Sequence, residues 1–163
     1  MEKKEPIKSF LEKIKKILSG EKNTNQKKEN VQMNKKELIL KTLEKMGYSP
    51  ELDGDGDIML HYQMKAIYVL TGDEDEPYIS MMLPQFHEID EGKETLVLAV
   101  CNKMTRELKL VKVYIDQTFK NVTANCEIFY ANEESLEQNL RNSLQMLGVV
   151  RTVFRNDMAE LSE

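Results

Sequence analysis

Tryptophan is absent from this chain of 163 residues, and cysteine and histidine occur only twice each. Cys101 and Cys126 lack the CxxC spacing of a zinc or redox site, and one lies in a helix pattern, the other in a strand pattern. Two reduced structural thiols are expected, with a disulfide between them as the alternative that sequence leaves open. No run of about 18 apolar residues exists, so no membrane-spanning helix is expected. Lysines interrupt every apolar stretch before Gly20, which denies the N-terminus the continuous apolar region of a secretory signal. A cytoplasmic location is the expectation. A Walker lysine and a Gly-x-Ser-x-Gly elbow are also missing, which removes two common routes to enzymatic function.

Charge is plentiful but unevenly placed. Residues 1–36 hold eleven Lys against five Glu, a balance of +6, whereas residues 37–163 hold twelve basic against twenty-three acidic residues, a balance of -11. An acidic body repels phosphates, so no nucleic-acid partner is expected. Apolar residues make up 40% of the chain, enough to close the core of one ordinary domain with an appendage.

The appendage is residues 1–33. Ile7, Phe10, Leu11, Ile14, Ile17 and Leu18 recur at helical spacing between lysines, which predicts a basic amphipathic helix over 6–18. The polar stretch 21–32 is too poor in apolar residues to offset ordering entropy and reads as a linker. Such a helix offers a membrane-surface contact, so a membrane-peripheral adaptor anchored by residues 6–18 is one reading of the chain.

Residues 34–163 read as one domain. Asn34 with Glu37 resembles a capping box for a helix over 35–46, closed by Gly47. Alternation predicts strands from Ile58 to Tyr62, Ala66 to Leu70 and Tyr78 to Leu83, then a turn over Pro84–Ile89 that returns Phe86 and Ile89 to the core. A helix is expected over 94–106, a hairpin of strands 108–115 and 122–130, and a long final helix from Asn132 to about Met158. The order α-β-β-β-α-β-β-α implies an α+β fold with a five-stranded antiparallel sheet flanked by helices.

Chemistry-bearing motifs fail on inspection. Asp53, Asp55 and Asp57 occupy positions one, three and five of an EF-hand register, but position six is Ile58 and position twelve Met64, so a simple turn is favoured. His87-Glu88 begins like HExxH, yet the fifth residue is Glu91. Gly54-Asp55-Gly56 has Met59 where a dinucleotide fingerprint needs glycine, and it enters a strand where that fingerprint enters a helix. Asp73, Glu74, Asp75 and Glu76 read as a solvated loop. The ten methionines, Met81-Met82 among them, read mainly as core filler. No enzyme, cofactor or metal site is expected.

Several short segments in order carry a family resemblance. Gly47-Tyr48, Asp55-Gly56-Asp57-Ile58, Leu83-Pro84-Gln85-Phe86-His87-Glu88-Ile89, Asn102 with Arg106, and Lys112-Val113-Tyr114 resemble the YbjN family, described as bacterial sensory transduction regulators, over about residues 35–158. Thr105 stands where that pattern has a second Asn. The family is similar in fold to type III secretion chaperones, small acidic dimers that bind client segments. The resemblance implies a non-enzymatic module that captures a protein partner or client on apolar surface, and a homodimer. Among its motif residues, Leu83, Pro84, Phe86 and Asn102 are expected to shape the fold. The apolar set of the last helix widens after Met146, so Met146, Val149, Val150, Val153 and Phe154 are the expected partner-binding residues.

Overall fold

A computed structural model describes residues 34–162, and the amphipathic helix and linker expected within 1–33 lie outside the described residues. The elements follow in the order α1 (Lys35–Lys45), β1 (Glu51–Leu52), β2 (Ile58–Tyr62), β3 (Lys65–Leu70), β4 (Tyr78–Glu88), α2 (Glu94–Glu107), β5 (Val111–Ile115), β6 (Asn121–Phe129) and α3 (Glu133–Glu160). The strands form one six-stranded sheet in the order β1-β2-β3-β4-β6-β5, antiparallel at every pairing. The fold is α+β as expected, with one strand more than the five expected. The extra strand is β1, two exposed residues with no alternation to betray them. It pairs with β2 because the Asp53 carboxylate accepts from the amides of Asp55 (3.0 Å) and Asp57 (2.9 Å), turning the chain into a hairpin.

Helix ends are set by local chemistry. The Asn34 side chain accepts from the Glu37 amide, but the Glu37 carboxylate pairs forward with Lys41 and does not return to the cap. At the other end Gly47 takes φ +91°, and the amides of Gly47 and Tyr48 reach the carbonyls of Glu44 and Leu43, a left-handed cap that only glycine adopts cheaply. Asn132 and Ser135 form a complete capping box at the start of α3.

The segment 84–89 is not the expected turn. β4 runs on through it with an irregularity: Leu83 faces Ala124 and His87 faces Val122, so four steps on β4 oppose two on β6. Pro84 has no N–H to give the ladder, Gln85 takes φ +46°, and the Gln85 amide finds the Thr123 hydroxyl at 3.1 Å. Phe86 still reaches the core, with Ile89 packed against it.

One face of the sheet carries the core: Ile58, Leu60, Ile67, Val69, Ile79, Met81, Val122, Ala124 and Cys126 are all fully buried. Leu136, Leu140, Leu144, Leu147, Val150 and Phe154 recur every three or four residues along α3 and pack into the same cluster, as do Ile39 and Leu43 of α1 and Val97, Val100 and Met104 of α2. Lys103 ties α2 to α3 through Asp157 (2.6 Å) and Glu160 (3.1 Å), and Lys45 ties α1 to α3 through Glu137 (2.9 Å).

Candidate functional site

α2 buries one stripe and leaves a second. Val97, Val100, Cys101 and Met104 face the core, while Leu98, Asn102 and Thr105 run along the side next to β5, the edge strand of the sheet. The two elements touch at Thr105, whose hydroxyl accepts from the Val113 amide at 2.9 Å and donates to the Val113 carbonyl at 3.0 Å. Leu98, Asn102 and Thr105 on the helix side, with Tyr114, Ile115 and Phe119 on the other, line a groove of about 610 Å³. The lining is mostly apolar, and Glu94 is its one charged side chain.

Phe119 owes its position to the β5–β6 hairpin. Asp116 accepts from the Thr118 amide and hydroxyl, its own carbonyl accepts from the Phe119 amide at 3.0 Å, and Phe119 takes φ +60° with 78% of its surface exposed. The Thr118 hydroxyl bond holds the Asp116 carboxyl below the usual carboxylate range. A left-handed backbone costs a bulky residue about 1 kcal/mol, and an exposed ring recovers nothing from the core. Leu110, at φ +66° and 56% exposed just before β5, repeats the pattern. Leu98 is 59% exposed, so three large apolar side chains flank one edge of the sheet. Tyr114 stands beside them, its phenol pushed up by partial burial and secondarily by the Glu127 charge.

The expected partner-binding residues divide. Val150 and Phe154 are fully buried, Phe154 with its ring edge-on to Phe86 at 5.3 Å and beside His87 at 4.7 Å. They continue the core stripe of α3 and are not surface. Val149 is 45% exposed, and Met146 and Val153 are half-buried beside the core, so these three form the outward strip of that helix. Leu98, Ile115 and Phe119 were not singled out from sequence, whereas Asn102, Thr105 and Tyr114 entered only through the family resemblance and with no binding role. Phe119 read only as part of a hairpin loop, although a bulky aromatic where Asn or Gly is usual was a usable signal.

The residues weighed for chemistry are spent locally. The Asp53 carboxylate serves its own turn, and among the described residues no group of three His, Cys, Asp or Glu side chains is placed to hold a metal ion. His87 lies on β4 against Phe154, and burial lowers its pKa. The acidic loop is not merely solvated: the Lys35 ammonium donates to the carbonyls of Thr71 and Asp73, and its amide to Glu74. Cys101 and Cys126 are both free and buried, their thiols pushed up to about 11 by desolvation, which makes them poor nucleophiles. Met81 and Met104 fill the core, while Met64 is fully exposed in the β2–β3 turn. Of the residues carried by the resemblance, Leu83 and Phe86 are buried, Pro84 sits at the irregularity of β4, and Asn102 lines the groove.

The model of the family TY-Chap1, described as T3SS (YopN, CesT) and YbjN peptide-binding chaperone 1, matches residues 34–160. The chain belongs to this family. As a TY-Chap1 member it is a protein-binding domain of a peptide-binding chaperone family, with the YbjN-like fold expected from the sequence. Among solved structures, YbjN from E. coli is similar at 14% identity and a TM-score of 0.54, over 76% of this chain and 90% of that one, which speaks for the fold alone. An uncharacterized protein from Methanothermobacter thermautotrophicus aligns at 16% identity over 73% of this chain and 98% of its own, but its TM-score of 0.41 carries no argument. No protein of curated function matches the sequence. No described helix of this TY-Chap1 domain is long and apolar enough to cross a membrane.

Proposed function

We propose that this TY-Chap1 domain is a non-catalytic capture module whose partner, an apolar segment of another protein, seats in the groove between α2 and β5. The observation that carries this reading is the exposure of Leu98 and Phe119 across that groove, the latter held out on a left-handed backbone. The one thiol of the groove, Cys101, is pushed up to about 11 by desolvation and is a poor nucleophile.

The outward strip of α3, Met146, Val149 and Val153, is a second apolar surface, and a homodimer through it is part of the proposal. Peptides tiling apolar segments, immobilised on a surface, test the capture reading. Phe119→Ser and Leu98→Ser should each lose most of the binding while melting with the parent protein, because both side chains lie outside the core. Undiminished binding by the double variant would place the site elsewhere. Light scattering tests the dimer: Val149→Asp should shift it to monomer without unfolding it, and a monomeric parent protein would refute it.

A further inference from the structure

β5 ends the sheet, so one side of its backbone faces no strand. Val113 identifies the outward groups, because its amide and carbonyl both meet the Thr105 hydroxyl on α2. The bond from the Asp116 amide to the Asn121 carbonyl fits the same alternation, with even-numbered residues of this strand turned toward β6. Val111 and Ile115 therefore point outward like Val113. Thr105 does with one oxygen what a neighbouring strand does with an amide and a carbonyl. At Ile115, which lines the groove, the outward backbone pair meets no partner among the described residues.

An unguarded edge strand invites continuous pairing with any extended chain. Among the described residues the edge is guarded in its middle, at Val113, and open on either side of it, at Val111 and, nearer Phe119 and in the groove, at Ile115. The groove also carries one charge, Glu94, with one carboxylate oxygen held by the Gly92 amide at 3.2 Å. The balance of -11 over residues 37–163 adds to its attraction for cations.

We propose that Thr105 is a strand stop that sets the class of ligand this groove takes. That ligand is a short extended segment, with an apolar side chain between Leu98 and Phe119 and a lysine or arginine toward Glu94. It pairs with the backbone of Ile115 and cannot run on past Val113. The assignment rests on the groove being the peptide site, and it makes Thr105 a positioning residue that decides how long a strand can form.

Two synthetic probes test it: Lys-Leu-Thr-Leu-Lys, and a longer peptide in which the Leu-Thr repeat is doubled. Full-length protein, T105S and T105V are titrated with each by fluorescence anisotropy, sedimentation is recorded without peptide, and amide exchange at Val113 is followed. The parent protein and T105S should bind both probes alike. T105V, which frees the Val113 pair, should gain about tenfold for the longer probe only, the worth of one added backbone pair. It alone should self-associate beyond the parent state. Should T105V show a fast-exchanging Val113 amide yet the parent's affinities and sedimentation, the strand stop is refuted. If neither probe binds any form, the groove reading fails, and sedimentation alone decides the stop: self-association of T105V upholds it and parent-like behaviour overturns it. T105A frees the same two groups and replaces T105V should that variant not fold.

Discussion

Phe154→Ala separates a core residue from a surface one more sharply than any other single change in this chain. The ring is fully buried, lies edge-on to Phe86 at a centroid distance of 5.3 Å, and packs on His87 at 4.7 Å. Truncation removes the transfer free energy of the ring and leaves a cavity between α3 and β4, together about 3–5 kcal/mol. For a domain of roughly 130 residues each kcal/mol moves the midpoint by about 3–5 °C, so the variant should melt about 9–25 °C below the parent. Val149→Ala, five residues away on the exposed side of the same helix, should stay within about 1 kcal/mol. Calorimetry on both variants, with light scattering at matched concentration, reads the contrast. A Phe154→Ala protein that melts with the parent but has lost self-association would show that the ring belongs to an interface, and the packing of α3 on β4 would have to be redrawn.

Gly148 lies where α3 crosses the β2–β3 turn, and an added Cβ would sit 2.8 Å from a Tyr62 ring carbon and 3.1 Å from the Gln63 amide oxygen. Helix propensity favours Ala by about 1 kcal/mol, but overpacking costs about 1–3, so Gly148→Ala should be net destabilising by chemical denaturation; a stabilised variant would show that Tyr62 moves freely. His87 is held below its ordinary pKa of 6.5, chiefly by burial and secondarily by Arg151, with Asp90 opposing. The unfolded chain thus binds the proton first, so stability should fall as pH drops from about 7 through 6.5 toward the lowered folded value. His87→Phe should flatten that slope, and an unchanged slope would exonerate the histidine. Removing residues 1–33 should leave the cooperative melt of the remainder nearly intact, since the family match begins at residue 34 and the described core runs from Ile39 to Phe154; a truncated protein without a melting transition would overturn this division of the chain.

Most of the architecture was legible because its signals are local. Asn34, Gly47 and Asn132 mark helix ends by capping chemistry, and alternation in 58–62 and 122–128 separates the core face from the other. What escaped depends on distant partners. β1 exists only because β2 folds back on it, and Pro84 read as a turn because the hydroxyl that rescues its neighbour's amide comes from Thr123 on another strand. The burial of Val150 and Phe154 was half legible. They extend the Leu136–Leu147 stripe, but the rings that cover Phe154 are those of Phe86 and His87, more than sixty residues earlier. The groove required knowing that α2 runs beside the edge of β5 at Thr105, which no periodicity reports.

The strand order has a consequence for how the chain is made. β4 is the longest strand, and its second neighbour is β6, not β5, so that side of it is filled by a segment synthesised only after α2 and β5. Until Asn121–Phe129 has emerged, a growing chain presents the whole of β4 as an open, largely apolar edge, ready to pair with whatever extended polypeptide is nearby. A ribosome that stalls within α2 or β5 therefore leaves behind a fragment in which one side of β4 has no partner strand.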